Sequence, residues 1–386
     1  MLWWGRSVRS LLVVAPLTSI LERFGRELVP PIPGRYVVPP ALRAVVLAGI
    51  AERTGRSILA VVPGEREAED LAEDVALFSS EIHHLPAWET LPFEHVSPSI
   101  PTMADRVVAR HALSRPETTI VVSSVRAATQ RLSPTPVDPI HVVRGEETSF
   151  DDLVVGLADL GYRRTDRVEG KGEFAVRGGI VDVYPTQSPG PIRIDFWGDA
   201  IEELRPFAIS TQRSEGSVDE IDVFPAGEVL ISEEMRRRAL DLMIDAPWGS
   251  STWERIAEGI RFPGMESWLP WLSSPQTILD ATDAVVVLFD PERSRDRCGD
   301  LISEEADLAR ALSGTWGQDG PAAGSHPPLY LPLEPIGSDD VLEAPPIAAS
   351  PGDEGYEMRG FGATAGDPES VAASINRWAG REIDVV

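Results

Sequence analysis

The apolar positions of the chain follow two rhythms, and the change between them divides it. Residues 39–55, PPALRAVVLAGIAERTG, repeat at helical spacing and stop at Gly55, the residue type that most easily turns left-handed at a helix end. SILAVVP follows as a short continuous apolar run, as in a strand buried on both faces. In GEREAEDLAEDVALF, Ala68, Leu71, Val75 and Phe78 line one helical stripe, with most of the acids outside it. HHLPAWETLPFE reads as irregular, MADRVVARHALSR as a helix and TTIVVSS as a second apolar strand. Helices alternating with wholly apolar strands predict an open α/β layer on a parallel sheet. The Pro-rich LSPTPVDP at 132–139 marks a boundary.

Beyond it the rhythm changes. FDDLVVGLADL predicts a helix over 150–160 that closes at Gly161. GEFAVRGGIVDVYP, PIRIDFWG and AIEELRPFAI then alternate with period two, and Gly198-Asp199 joins the last two as a hairpin turn would. From 233, EEMRRRALDLM predicts a helix, and AVVVLFD at 284–290 another buried strand. Residues 316–356, rich in Pro, Gly and Ala, read as loop or linker. GDPESVAASINRWAGREIDVV reads as a capped helix, a Gly stop and the start of an apolar strand, which leads us to expect that the chain is the front part of a longer protein. The predicted architecture is an α/β domain with a parallel sheet, split by an inserted α+β domain with an antiparallel sheet. Residues 1–135 form its first half, 136–227 the insertion and 228–386 the second half.

Composition narrows the function. The chain has 386 residues, 42% hydrophobic and 25% charged, enough for a sizeable core. With 61 acidic against 35 basic residues its formal charge is -26, which argues against bulk attraction to nucleic-acid phosphates, and any such contact needs a local patch. A single cysteine, Cys298, excludes an internal disulfide framework and a Cys-rich zinc site, and fits a reducing, cytoplasmic compartment. The opening MLWWGRSVRSLLVVAPLTSI imitates a signal peptide but lacks a convincing cleavage site, and reads better as a buried helix or a misplaced start. No apolar run is long enough for a membrane-spanning helix.

Chemistry-bearing motifs are scarce. The only lysine, Lys171, lies in Gly170-Lys171-Gly172, so the Gly-Lys-Ser/Thr of a phosphate loop is missing. AVVVLFDPE resembles the acid-terminated strand of nucleotide-binding folds, ending on Asp290, but without that loop it reads as an ordinary sheet strand. His83, His84 and His95 cluster with Glu89 and Glu94; surface loop histidines are a better reading than a metal site. No catalytic, cofactor-binding or metal-binding residue is assigned.

The insertion holds the one positive signal. Between 161 and 213 eight basic residues (Arg163, Arg164, Arg167, Lys171, Arg177, Arg193, Arg205, Arg213) balance eight acids. In PIRIDFWG, alternation puts Ile192, Ile194 and Phe196 on the core face and Arg193, Asp195 and Trp197 on the other. In GEFAVRGG, Phe174 and Val176 point inward and Arg177 outward. Tryptophan beside arginine on a solvent-facing sheet is the composition of a protein-binding hot spot, unless another part of the chain covers it.

Four segments, HHLPAWETLPFEHVSPS, ADRVVARHAL, VVSSVRAATQRLSP and above all GYRRTDRVEGKGEFAVRGGIVDVYPTQSPGPIRIDFWGDAIEELRPFAISTQRS, resemble the amino-terminal part of the bacterial transcription-repair coupling factors, from about residue 40 to about 300. The resemblance implies a UvrB-like module, a split α/β domain whose insertion docks onto UvrA, the damage-recognition ATPase. The family's UvrA-contacting positions fall on Arg177, Arg193 and, as an aromatic, Trp197. UvrB carries a working phosphate loop near its start, which the coupling factors have lost. The corresponding PPIPGRYVVPPALRAVV has one glycine, Gly34, and no lysine, so the implied fold is a degenerate P-loop-NTPase-like one. UvrB's DNA-clamping hairpin has no counterpart. RNA polymerase and DNA would be reached only through domains further along the family's chain, where a helicase-type translocase also lies. The resemblance thus implies a non-catalytic module that recruits UvrA to stalled RNA polymerase in nucleotide excision repair, its docking face masked in the full-length protein until polymerase is engaged. The alternatives are an ATP-dependent translocase or helicase, or a direct DNA-binding domain.

Overall fold

The computed structural model describes residues 29–134, 138–214, 216–312, 326–333, 340–350 and 352–356. The helices expected near both chain ends and the final strand lie outside them. The scaffold opens with β1 (Gly34–Arg35), α1 (Arg43–Thr54), β2 (Ile58–Val62), α2 (Glu65–Val75), β3 (Ile82–Leu85), α3 (Ile100–Ser114), β4 (Ile120–Ser124) and the single turn α4 (Val125–Ala128). The inserted segment holds β5 (Ile140–Val143), α5 (Phe150–Asp159), β6 (Arg163–Arg164), β7 (Glu173–Arg177), β8 (Ile180–Val183), β9 (Ile192–Trp197), β10 (Ala200–Pro206) and β11 (Glu220–Val223). The scaffold resumes with α6 (Glu233–Asp245), α7 (Ser250–Ala257), α8 (Leu269–Leu272), β12 (Val285–Phe289), α9 (Pro291–Leu312) and β13 (Val341–Ala344).

Helix starts are written in the sequence. Ser99, Ser124, Ser149 and Ser232 each accept a backbone N–H of the first turn at the heads of α3, α4, α5 and α6. Gly55 ends α1 at φ +63°, where a side chain would be strained. The scaffold strands form one sheet in the order β1-β13-β12-β2-β4-β3, every neighbour parallel. Its apolar runs are explained by cover on both sides. Ile58, Ala60, Val62, Val285, Val287 and Phe289 face the core shared with α1 and α2. Leu59, Val61, Val286 and Leu288 face a second core with α6, α7, α8 and α9, where Trp248, Trp253, Trp268 and Trp271 pack ring against ring.

Three sequence expectations change. Residues 341–344 lie in the stretch read as loop, yet they form β13 between β1 and β12. Ile82–Leu85, at the head of a segment read as irregular, is the edge strand β3, so His83 and His84 sit on a half-buried strand and not in a surface loop. In α1, whose spacing reads as an amphipathic helix, Arg43 through Ala51 are all buried.

The insertion builds a separate five-stranded sheet, β10-β9-β8-β7-β6, antiparallel except for the short β6–β7 pair, with β5 and β11 as an antiparallel ribbon beside it. Its core holds Leu153 and Leu157 of α5 against Phe174, Val181, Ile192, Ile194 and Phe196. Where the chain returns to the scaffold, Glu228 is fully enclosed. It accepts Arg106 Nε at 2.5 Å and Nη2 at 3.1 Å, Trp88 Nε1 at 2.9 Å and Arg110 Nη1 at 3.4 Å. Arg106 also donates to the Pro86 carbonyl at 2.7 Å. Arg261 reaches the other seam, donating to the Gly161 carbonyl at 2.8 Å.

Candidate protein-docking face

The outer face of the five-stranded sheet is fixed by register. Opposed residues share a face, and Ala175, Asp182, Arg193 and Arg205 form one row across β7, β8, β9 and β10. Arg177, Ile180 and Asp195 form the next, and Trp197 lies two residues beyond Asp195 along β9. Arg177, Arg193 and Trp197 are therefore on one surface, with Arg177 two strands, or about 10 Å, from β9. The expected inward set is buried: Phe174, Ile192, Ile194 and Phe196, with Val176 partly so.

This face has a dry half and a bare half. Val168, from the loop after β6, and Phe207, just past β10, close over Ala175 with Tyr184 alongside. Under this cover Asp182 is 1% exposed although its strand position points outward. Beyond the cover Trp197 is 77% exposed, the largest apolar side chain so displayed among the described residues. Arg177 is exposed too, and its Nη2 donates to the Asp166 carbonyl at 2.8 Å. Among the described residues it forms no ion pair with a carboxylate.

Arg193 departs from expectation. The alternation sets it in solvent, open to a partner's carboxylates. The structure half buries it and gives it an internal one: Nε donates to Asp182 Oδ1 at 2.7 Å and Nη2 to Oδ2 at 2.9 Å. This pair holds the guanidinium above its ordinary pKa, against the effect of burial. Its Cζ stands 4.9 Å from the centre of the Phe207 ring, a cation–π contact. Next to it Arg205 Nη2 donates to Asp195 Oδ2 at 2.6 Å. Asp182 and Arg205 were missed as site members. A bulge between Ile201 and Glu203 shifts the alternation along β10, so that Ile201 and Leu204 are both buried and Arg205 faces outward; counting by twos from Ile201 would have turned Arg205 inward, and the cover over Asp182 comes from distant segments.

A second polar cluster lies in the scaffold, at the carboxyl end of β12. Asp290 adopts φ +46°, unusual for a non-glycine. Its Oδ2 accepts Arg43 Nη2 at 2.9 Å and Arg293 Nη1 at 3.3 Å. Arg43 opens α1, its side chain and that of Asp290 are both buried, and its Cζ lies 4.9 Å from the Phe289 ring centre. Pro39 and Pro40, just before it, have no N–H to offer. Among the described residues no three His, Cys, Asp or Glu side chains gather to hold a metal ion, and no helix is long and apolar enough to cross a membrane.

Comparison with known proteins supplies the family. A model described as the UvrB interaction domain matches residues 140–228, the inserted sheet and its return to the scaffold. The transcription-repair-coupling factor of Mycobacterium bovis is 34% identical over 353 residues, covering 83% of this chain and 27% of that protein. The Myxococcus xanthus factor is 30% identical over 71% of this chain and 25% of its own length. For the Escherichia coli factor the figures are 28%, 59% and 20%. The chain thus spans about a quarter of the length of the relatives it matches. With the inserted module recognised by itself and most of the chain aligned to one kind of protein, this chain belongs to the transcription-repair coupling factors, as their UvrB-like amino-terminal region.

Proposed function

We propose that this chain is a recruitment module that binds UvrA and so links stalled RNA polymerase to nucleotide excision repair. Its work is affinity and placement, not chemistry. Residues 136–227 are the docking module and the flanking 1–135 and 228–386 its scaffold. The observation that carries the reading is Trp197, 77% exposed on the same outer sheet face as Arg177, which forms no ion pair among the described residues. A large aromatic and an arginine around a small shelf are what interface hot spots are made of. Trp197 fills an apolar recess on UvrA, and Arg177 takes a carboxylate.

The scaffold is read as a nucleotide-binding fold without its nucleotide site. Pro39 and Pro40 remove backbone donors where a phosphate cradle needs them. The acid ending β12, which in such folds serves a magnesium ion, is already neutralised by Arg43. The same two features disfavour ATP-driven translocation by this region, and the charge of -26 disfavours DNA binding by bulk attraction.

The test is a binding titration with UvrA. Trp197→Ala is expected to weaken binding roughly thirtyfold, about 2 kcal/mol, and Arg177→Ala by a similar factor, without loss of melting temperature. Parent-like affinity for both variants would remove the docking assignment.

A further inference from the structure

Asp182 is a buried carboxylate on a strand face that alternation turns outward, and nothing in a purely structural sheet calls for an acid there. An apolar residue would pack under Val168 and Phe207 at lower desolvation cost. What the acid does is grip Arg193 side-on. A guanidinium is planar, and when Nε and Nη2 each give one N–H to the same carboxylate, the donors left over are both N–H groups of Nη1 and the second of Nη2. Phe207 closes one face of the plane. Arg193 Nη1 donates to no group among the described residues, and the side chain keeps a 17% exposed margin.

We propose that Asp182 and Phe207 are positioning residues of the docking face: they mount the Arg193 guanidinium from an edge and a face and present Nη1 to the partner. The inference rests on the UvrA-docking reading and deepens it. An arginine on a strand surface normally samples many rotamers and loses that freedom on binding. Here the loss has occurred in folding, so docking meets a fixed donor. Asp182 also cancels most of the charge of Arg193. Arg193 therefore contributes a directional hydrogen bond, and the long-range attraction falls to Arg177. The natural acceptor for Nη1 is a carboxylate or backbone carbonyl of UvrA next to the recess that takes Trp197.

The experiment measures UvrA affinity and melting temperature of the whole chain in parallel. Asp182→Asn keeps the shape but weakens the grip; binding should fall about tenfold. The pair Asp182→Leu with Arg193→Met replaces the ion pair by apolar side chains of similar volume, an exchange that often leaves stability unchanged. Its melting temperature should match the parent while its affinity stays as low as that of Arg193→Ala. Phe207→Leu should cost a few-fold in affinity and gives a second route should Asp182→Asn fail to fold. Parent-like binding by the Leu/Met pair would reduce Asp182 and Arg193 to a brace inside the sheet and overturn the proposal. Parent-like binding by Asp182→Asn would do the same. Trp197→Ala and Arg177→Ala separate the two levels: if both bind as the parent does, the docking reading itself fails; if both bind poorly, only the role of Asp182 and Phe207 is in question.

Discussion

Glu228→Ala is expected to destabilise the protein by about 3–5 kcal/mol, the usual cost of leaving buried charge uncompensated. Arg106 is wholly enclosed and gives Glu228 two of its donors, and Arg110 adds a third from the next turn of α3. Removing the acid takes the carboxylate away from Arg106, which keeps the Pro86 carbonyl, and from Arg110, which keeps the Ser133 carbonyl at 3.0 Å, and it frees Trp88 Nε1 in the same space. The midpoint of urea unfolding should fall by a correspondingly large amount. Arg106→Met combined with Glu228→Leu, which takes out charge of both signs, should cost much less than either single change. The acid limb of the stability profile gives an independent readout. Burial pushes the Glu228 carboxyl up, but Arg106 and Arg110 outweigh it and hold it below the ordinary carboxylate range. On acidification the unfolded chain therefore takes up this proton first. The pair's stabilisation is full above the ordinary carboxylate value and is lost as pH falls toward the depressed folded one. Glu228→Gln should be less stable at neutral pH and flatter on the acid side; an unchanged acid limb would show that the cluster does not couple to folding. Glu228 is also the last residue matched to the UvrB interaction domain, so the cluster lies where the inserted segment rejoins the scaffold.

The elements legible in the sequence were those whose surroundings could be inferred from their own residues. β2, β4 and β12 are continuous apolar runs because helices cover both faces of the sheet, and the runs alone imply that cover. The hairpin of β9 and β10 announced itself by alternation on both sides of Gly198, which adopts φ +63°. What escaped depends on distant partners. Val341–Ala344 is four residues with an acid among them, and it becomes a strand only because β1 and β12 offer parallel edges on either side. The outer face of the inserted sheet shows the same division. Alternation along β9 separated Trp197 from Phe196 correctly, because that depends only on the local pleat. The same reasoning set Arg193 in open water, because it had no means of foreseeing Val168 and Phe207 folding over that end of the sheet. The tertiary cover converts one of three supposed surface groups into a held one.

Arg43→Ala should be the other costly change, again about 3–5 kcal/mol, and it tests the proposal that the scaffold is a nucleotide-binding fold without its site. Asp290 ends the central strand in a left-handed conformation, buried over the head of α1. In a nucleotide-binding relative of such a sheet a bound cation would balance an acid there. Here Arg43 does so from within the chain, and Arg293, more exposed and at 3.3 Å, is a weaker substitute. Without Arg43 the carboxylate keeps only that outer partner. Arg43→Ala with Asp290→Asn should recover most of the loss, because asparagine tolerates positive φ and brings no charge to be balanced. If the single and double variants unfold alike, the ion pair is not what holds this corner. Nucleotide titrations divide the remaining explanations. Should Arg43 be a plug over an intact cradle, its removal would open a site and ATP with magnesium would restore stability. The two prolines argue against a phosphate cradle here, so we expect added nucleotide to leave both the parent and Arg43→Ala where they were. Stabilisation of Arg43→Ala by ATP would show that the phosphate site survives beneath the arginine.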